Sequence, residues 1–132
     1  MRLLIDSHVL IWWWAEQNHL SASVSKLLID PATTIFVSAA TAWEIGTKHR
    51  LGKLPQLDGR FRDVSAEFAN ELAVDRFTTL AVTLDHGLRA GMYEMAHRDP
   101  FDRLLAAQAE LENITLVTRD PAFAAFPCDT LW

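Results

Sequence analysis

The sequence predicts an α/β fold in three layers, with helices on both faces of a mostly parallel central sheet of four to five strands. Three observations carry this. Short apolar, β-branched runs alternate with longer segments of helical periodicity, the pattern that gives a parallel sheet wrapped by helices. The 132 residues suit one ordinary domain and are enough to bury most of the surface an unfolded chain exposes. No repeat, low-complexity tract or linker interrupts them, so residues 1–132 read as a single domain.

The elements follow in order. Arg2 to Ile5 is a short apolar run ending at Asp6-Ser7, and His8 to Glu16 has helical character, so a strand feeds a helix. Either Asp6 or Ser7 suits the cap of that helix. Trp12, Trp13 and Trp14 sweep too wide an arc for one core stripe. Val9, Leu10 and Trp13 are expected to form the core face with Trp14 beside it, leaving Trp12 with His8 and Glu16 on the polar side. An exposed tryptophan there points to a partner interface. Ser21 caps a second helix that runs to Asp30 and stops at Pro31, and Thr34 to Val37 is the second strand.

Ser38 then caps a third helix, Ala39 to His49. Glu44 lies within it, four residues before Lys48, and its apolar neighbours Trp43 and Ile45 leave its exposure open. Phe61, Val64, Phe68 and Leu72 space as an amphipathic helix, Phe77 to Val82 as a third strand, and Leu84 to Met95 as a helix weakened by Gly87 and Gly91. His97 to Pro100 reads as a loop, Phe101 to Leu111 as a helix with Asn113 as its C-cap, and Ile114 to Val117 as a strand ending in Thr118-Arg119-Asp120-Pro121. Cys128 to Trp132 is expected as an edge strand.

Composition narrows the function. At 50% hydrophobic and 22% charged residues the chain is globular, and no apolar run approaches the length of a membrane span. The N-terminus meets Asp6 too soon for a signal peptide, so a cytoplasmic location is expected. The single Cys128 cannot form an internal disulfide and reads as a small buried hydrophobe. A net charge of −5 argues against holding nucleic acid by charge alone. Lys48, His49, Arg50, Lys53, Arg60 and Arg62 nevertheless cluster, and Arg98, Arg103 and Arg119 flank acidic positions. These are either solvated side chains or a rim that contacts phosphates.

On helical spacing Asp102 shares a face with Leu105, Ala106 and Ala109, so its carboxylate is expected at a core edge, where it needs a counter-charge, hydrogen bonds or a metal. Capping is the competing reading, with Asp99 as N-cap, Pro100 as first helical residue and Asp102 as third. Asp6 and Asp120 both follow strands, at the edge where open parallel sheets bind ligands. Periodicity alone does not bring Glu44 and Asp102 to that edge.

Four segments, Leu3-Leu4-Ile5-Asp6-Ser7-His8, Val37 to Ile45, Asp99 to Ala109 and Leu116 to Asp120, occur in an order that resembles the PIN-domain ribonucleases. Among these the chain resembles specifically the toxin component of VapBC-type toxin–antitoxin pairs. The resemblance implies a PIN-like α/β/α fold in which Asp6, Glu44, Asp102 and Asp120 converge and bind magnesium or manganese. It implies an endoribonuclease that hydrolyses RNA phosphodiesters, a homodimer, and an antitoxin whose C-terminal segment covers the active-site groove. Clustered oxygen ligands without His or Cys do select such hard cations over zinc. Asp99 is expected to cap, Ser7 or Thr118 to hydrogen-bond water at the metal, and Arg103 or Arg119 to contact phosphate. Trp12 and the Phe61-to-Leu72 helix are the candidate partner contacts. The alternative is an inactive PIN-like module that binds RNA or protein. A receiver-type phosphotransfer domain needs a lysine at a late strand end, and after Lys53 there is none. No glycine-rich phosphate loop is present.

Overall fold

A computed structural model describes residues 1–132. Five strands form one parallel sheet: β1 (Arg2–Ile5), β2 (Thr34–Ser38), β3 (Thr78–Leu80), β4 (Thr115–Val117) and β5 (Thr130–Leu131), in the order β3-β2-β1-β4-β5. β1 is central, with Ile5 opposite Val37 on one side and Val117 on the other. The chain builds outward from β1 through β2 and β3, then returns to its other side for β4 and β5. That reversal leaves a crevice beyond the carboxyl end of β1.

Six helices cover the sheet: α1 (Ser7–Ala15), α2 (Ala22–Ile29), α3 (Ala39–Arg50), α4 (Val64–Val74), α5 (Leu84–Met92) and α6 (Pro100–Glu112). Alternation along β1 sends Leu3 and Ile5 into a core with Val9, Leu10, Trp14, Val24 and Leu72, and Leu4 into a second core with Leu105, Ala106, Ala109 and Phe123. A strand buried on both faces is the mark of the middle layer.

Asp6 is the cap of α1, its Oδ1 accepting from the Val9 amide at 2.8 Å. Ser21, Ser38, Asp63, Thr83 and Asp99 cap the other helices. Several boundaries differ from the periodicity. α4 begins at Val64, because Asp63 starts it, and Phe61 lies outside it, edge-on to Trp14 at 5.5 Å. α5 ends at Met92, three residues early, and the chain turns into a loop. The last strand is Thr130–Leu131 alone. Cys128 therefore lies outside it and is half-buried, not enclosed. Within α1 the buried tryptophan is Trp14, which donates to Asp75 at 2.8 Å; Trp13 is half-buried against Phe77. Trp12 is also half-buried, among His8, His19 and Trp132.

α5 and α6 lie antiparallel, with His86 beside Glu112 at one end and the Ala90 carbonyl beside Arg103 at the other. α5 thus runs toward the carboxyl edge of the sheet and the loop turns the chain back there, so α6 starts at that edge. This hairpin is what brings Asp102 to the cleft with Asp6.

Candidate functional site

Asp6, Ser7, His8, Glu44, Lys48, Asp99, Asp102, Asp120 and Phe123 line a cleft of about 100 Å³ at the switch point. Each arrives on a different piece of local structure. Asp6 ends β1, Glu44 projects from α3 after β2, Asp102 sits in the first turn of α6, and Asp120 follows β4 as the cap of a short 3₁₀ turn, Pro121–Ala125.

Asp6 is 4% exposed and Glu44 5%, so both carboxylates depend on partners inside the protein. Asp6 Oδ2 accepts from the Thr118 hydroxyl at 2.5 Å, completing a pair with Val9 on Oδ1. Burial still pushes the Asp6 carboxyl above its ordinary range, against the pull of these bonds. Glu44 accepts from the Ser7 hydroxyl on Oε1 and from the Lys48 ammonium at 2.6 Å on Oε2. Spacing had left Glu44 open as a surface residue; packing of α3 turns it inward.

Asp102 is pushed up to about 6, first by desolvation, with Asp99 adding repulsion and the hydrogen bond from His97 opposing. Its Oδ2 lies 2.8 Å from His97 Nε2. Asp99 Oδ1 accepts from the amides of Phe101 and Asp102 at 2.9 and 3.3 Å, so it caps α6 while its side chain lines the cleft. Asp120 caps in the same way, with Oδ1 accepting from Ala122 at 2.9 Å. Asp99, Asp102 and Asp120 each keep one carboxylate oxygen without a protein partner.

The donor set is all oxygen, and two of its acids are held in raised ranges by burial, so a hard divalent cation would offset the charge the protein leaves uncompensated. In chemistry and burial the residues fit such an ion. As the side chains stand, no three of them converge closely enough to share one.

Arg103 does not face this cleft. Its guanidinium is bonded to the carbonyls of Ala90, Gly91, Tyr93, Met95 and His97, which removes it as a phosphate contact. Arg119 is exposed beside Asp120. From the basic cluster Lys48 lines the cleft, whereas Arg60 is tied to the Trp14 carbonyl and Glu71. Three residues of the site escaped the sequence: His8, Lys48 as a cleft-lining cation, and His97. The Glu44–Lys48 spacing signalled that pair but not its burial, and a histidine in a loop carries no periodic signal.

A family model described as PIN domain matches residues 3–127. No curated protein is significantly similar to the sequence. Among solved structures, VapBC2 from Rickettsia felis bound to a promoter DNA fragment aligns with a TM-score of 0.69 at 19% identity, over 100% of this chain and 99% of that one. FitAcB from Neisseria gonorrhoeae aligns at 0.64 and 21% identity, over 98% and 96% of the two chains. A toxin–antitoxin complex from Klebsiella pneumoniae aligns at 0.61 and 18% identity, again over 98% and 96%. At these identities the likeness is one of fold.

Proposed function

For a chain that belongs to the PIN-domain family, we propose a magnesium- or manganese-dependent endoribonuclease acting as the toxin of a toxin–antitoxin pair. The observation that carries this reading is that Asp6, Glu44, Asp102 and Asp120, distant in sequence, line one small cleft at the switch point of the sheet. The alignment with the toxin–antitoxin complex from Klebsiella pneumoniae supports the toxin assignment and an antitoxin partner.

Asp6, Asp102 and Asp120 would hold the divalent cation, with Glu44 completing the set. When bound, the ion would lower the pKa of an attacking water and stabilise the charge that builds on the phosphoryl group and the leaving oxygen. The protein supplies the frame. Thr118 and the Val9 amide fix the plane of Asp6, and Ser7 with Lys48 fixes that of Glu44. Lys48 is the one ammonium in the cleft and is placed to meet a phosphate oxygen as well as Glu44. Asp99 holds the start of α6 through the Phe101 and Asp102 amides, and so fixes the turn that carries Asp102.

A calorimetric titration of the metal-stripped protein with Mn²⁺ tests this. A saturable site that Asp6→Asn removes is expected. Absence of binding by the wild type would favour the inactive module that binds RNA or protein without a metal.

A further inference from the structure

Arg103 and His97 lie behind the cleft and reach it through Asp102. The Arg103 guanidinium donates from Nε to the Ala90 carbonyl at 2.8 Å and from Nη1 to Met95 at 3.2 Å and His97 at 2.8 Å. Nη2 donates to Tyr93 at 2.5 Å and Gly91 at 3.5 Å. All five acceptors belong to the end of α5 and the loop that leads to α6. A planar group with five fixed donors thus takes up carbonyls that a helix end leaves without partners, and sets the course of the loop.

One of those carbonyls is that of His97 itself, so the clamp fixes the backbone that carries the imidazole. The ring is held from the side by Phe126, edge-on at 5.4 Å between centroids, and by Phe123 at 6.5 Å. In the tautomer with its proton on Nε2, it donates to Asp102 Oδ2. Oδ1 is left for the cleft.

We propose that His97 is a positioning residue for Asp102, and that Arg103 acts on the same carboxylate by fixing the His97 loop; this rests on the metal-dependent reading of the cleft. Asp6 has two donors on its carboxylate and Glu44 has two on its own, whereas Asp102 has the single bond from His97. Without that bond the side chain is free to turn about its χ angles, and a ligand that must first be oriented binds more weakly. The positioning rests on the donor at Nε2, not on the ring.

The test compares wild type, Asp102→Asn, His97→Phe, His97→Gln, Arg103→Lys and the His97→Phe/Arg103→Lys double variant. Each is metal-stripped and titrated with Mn²⁺ by calorimetry at a temperature where its metal-free melting curve shows it folded. His97→Phe keeps an aromatic ring against Phe126 but loses the donor, and is expected to weaken Mn²⁺ binding by about 10-fold or more, with His97→Gln returning to within about threefold of wild type. Arg103→Lys is expected to weaken binding in the same direction, and the double variant to be no weaker than the weaker single by more than about twofold, because both act through one carboxylate. His97→Phe binding Mn²⁺ as wild type does, while Asp102→Asn binds it weakly, would overturn the inference and leave the metal reading intact. His97→Gln as weak as His97→Phe would also overturn it, since ring packing would then be the cause. A wild type that takes up no Mn²⁺ overturns the metal reading and this inference with it.

Discussion

At Asp6, burial and hydrogen bonding pull in opposite directions: desolvation raises the carboxyl, while Thr118 and Val9 stabilise its charge. Asparagine has the same shape without the charge, so Asp6→Asn is expected to leave the metal-free melting temperature unchanged or raised. Saturating Mn²⁺ should raise the wild-type melting temperature and leave that of Asp6→Asn where it was, because only a state that binds the ion gains from it. Thermal melts with and without Mn²⁺ check both outcomes. Asp99 separates from Asp102 in the same way. Asp99→Ala is expected to cost about 1 kcal/mol by chemical denaturation, as a lost helix cap does, whereas Asp99→Ser keeps the cap and the cleavage activity that Asp102→Asn abolishes. These roles were legible to different depths. Asp6, Asp99 and Asp120 stand at strand ends and before helices, where sequence shows a cap but not what lies across the cleft. Glu44, flanked by Trp43 and Ile45, gave no face to choose, and only the packing of α3 buries it.

Between elements, the α5–α6 pair is joined by polar contacts that no periodicity announces. Arg89 makes a two-pronged bond to Glu110 at 2.8 and 2.7 Å, and the Tyr93 hydroxyl donates to the same carboxylate at 2.6 Å. Burial first, then that hydrogen bond, hold the Tyr93 phenol well above its ordinary value near 10. The protonated phenol is the form the fold favours, so its contribution is fully present below pH 10 and is lost as pH rises through the raised native value. Tyr93 is the one tyrosine in the chain, and phenolate absorbance reports on it alone. Its titration should lie well above that of the urea-unfolded protein, and Glu110→Gln should narrow the gap. Coincident titrations would mean that this contact does not form. The helix starts were readable from Ser21, Ser38 and Asp99. The early end of α5 was not, because Arg103, in the next helix, takes up its carbonyls. The inward turn of Phe61 and Phe68 onto Trp14 likewise depends on a partner distant in sequence.

Over the whole molecule, alternation of strand and helix was enough to give the parallel sheet and its layers, since each short run buried on both faces has few other places to go. What alternation did not give is the hairpin of α5 and α6, and so the meeting of Asp102 with Asp6. Nor did it show that α5 carries an exposed apolar stripe, where Leu84, Leu88 and Met92 recur every four residues at 80%, 60% and 72% exposure. The central claim, four acids making one metal-dependent nuclease site, meets its most direct test in cleavage of a structured RNA by wild type with Mg²⁺, by wild type with EDTA and by Asp6→Asn with Mg²⁺. Cleavage in the first case alone is expected, and equal cleavage in all three would contradict it.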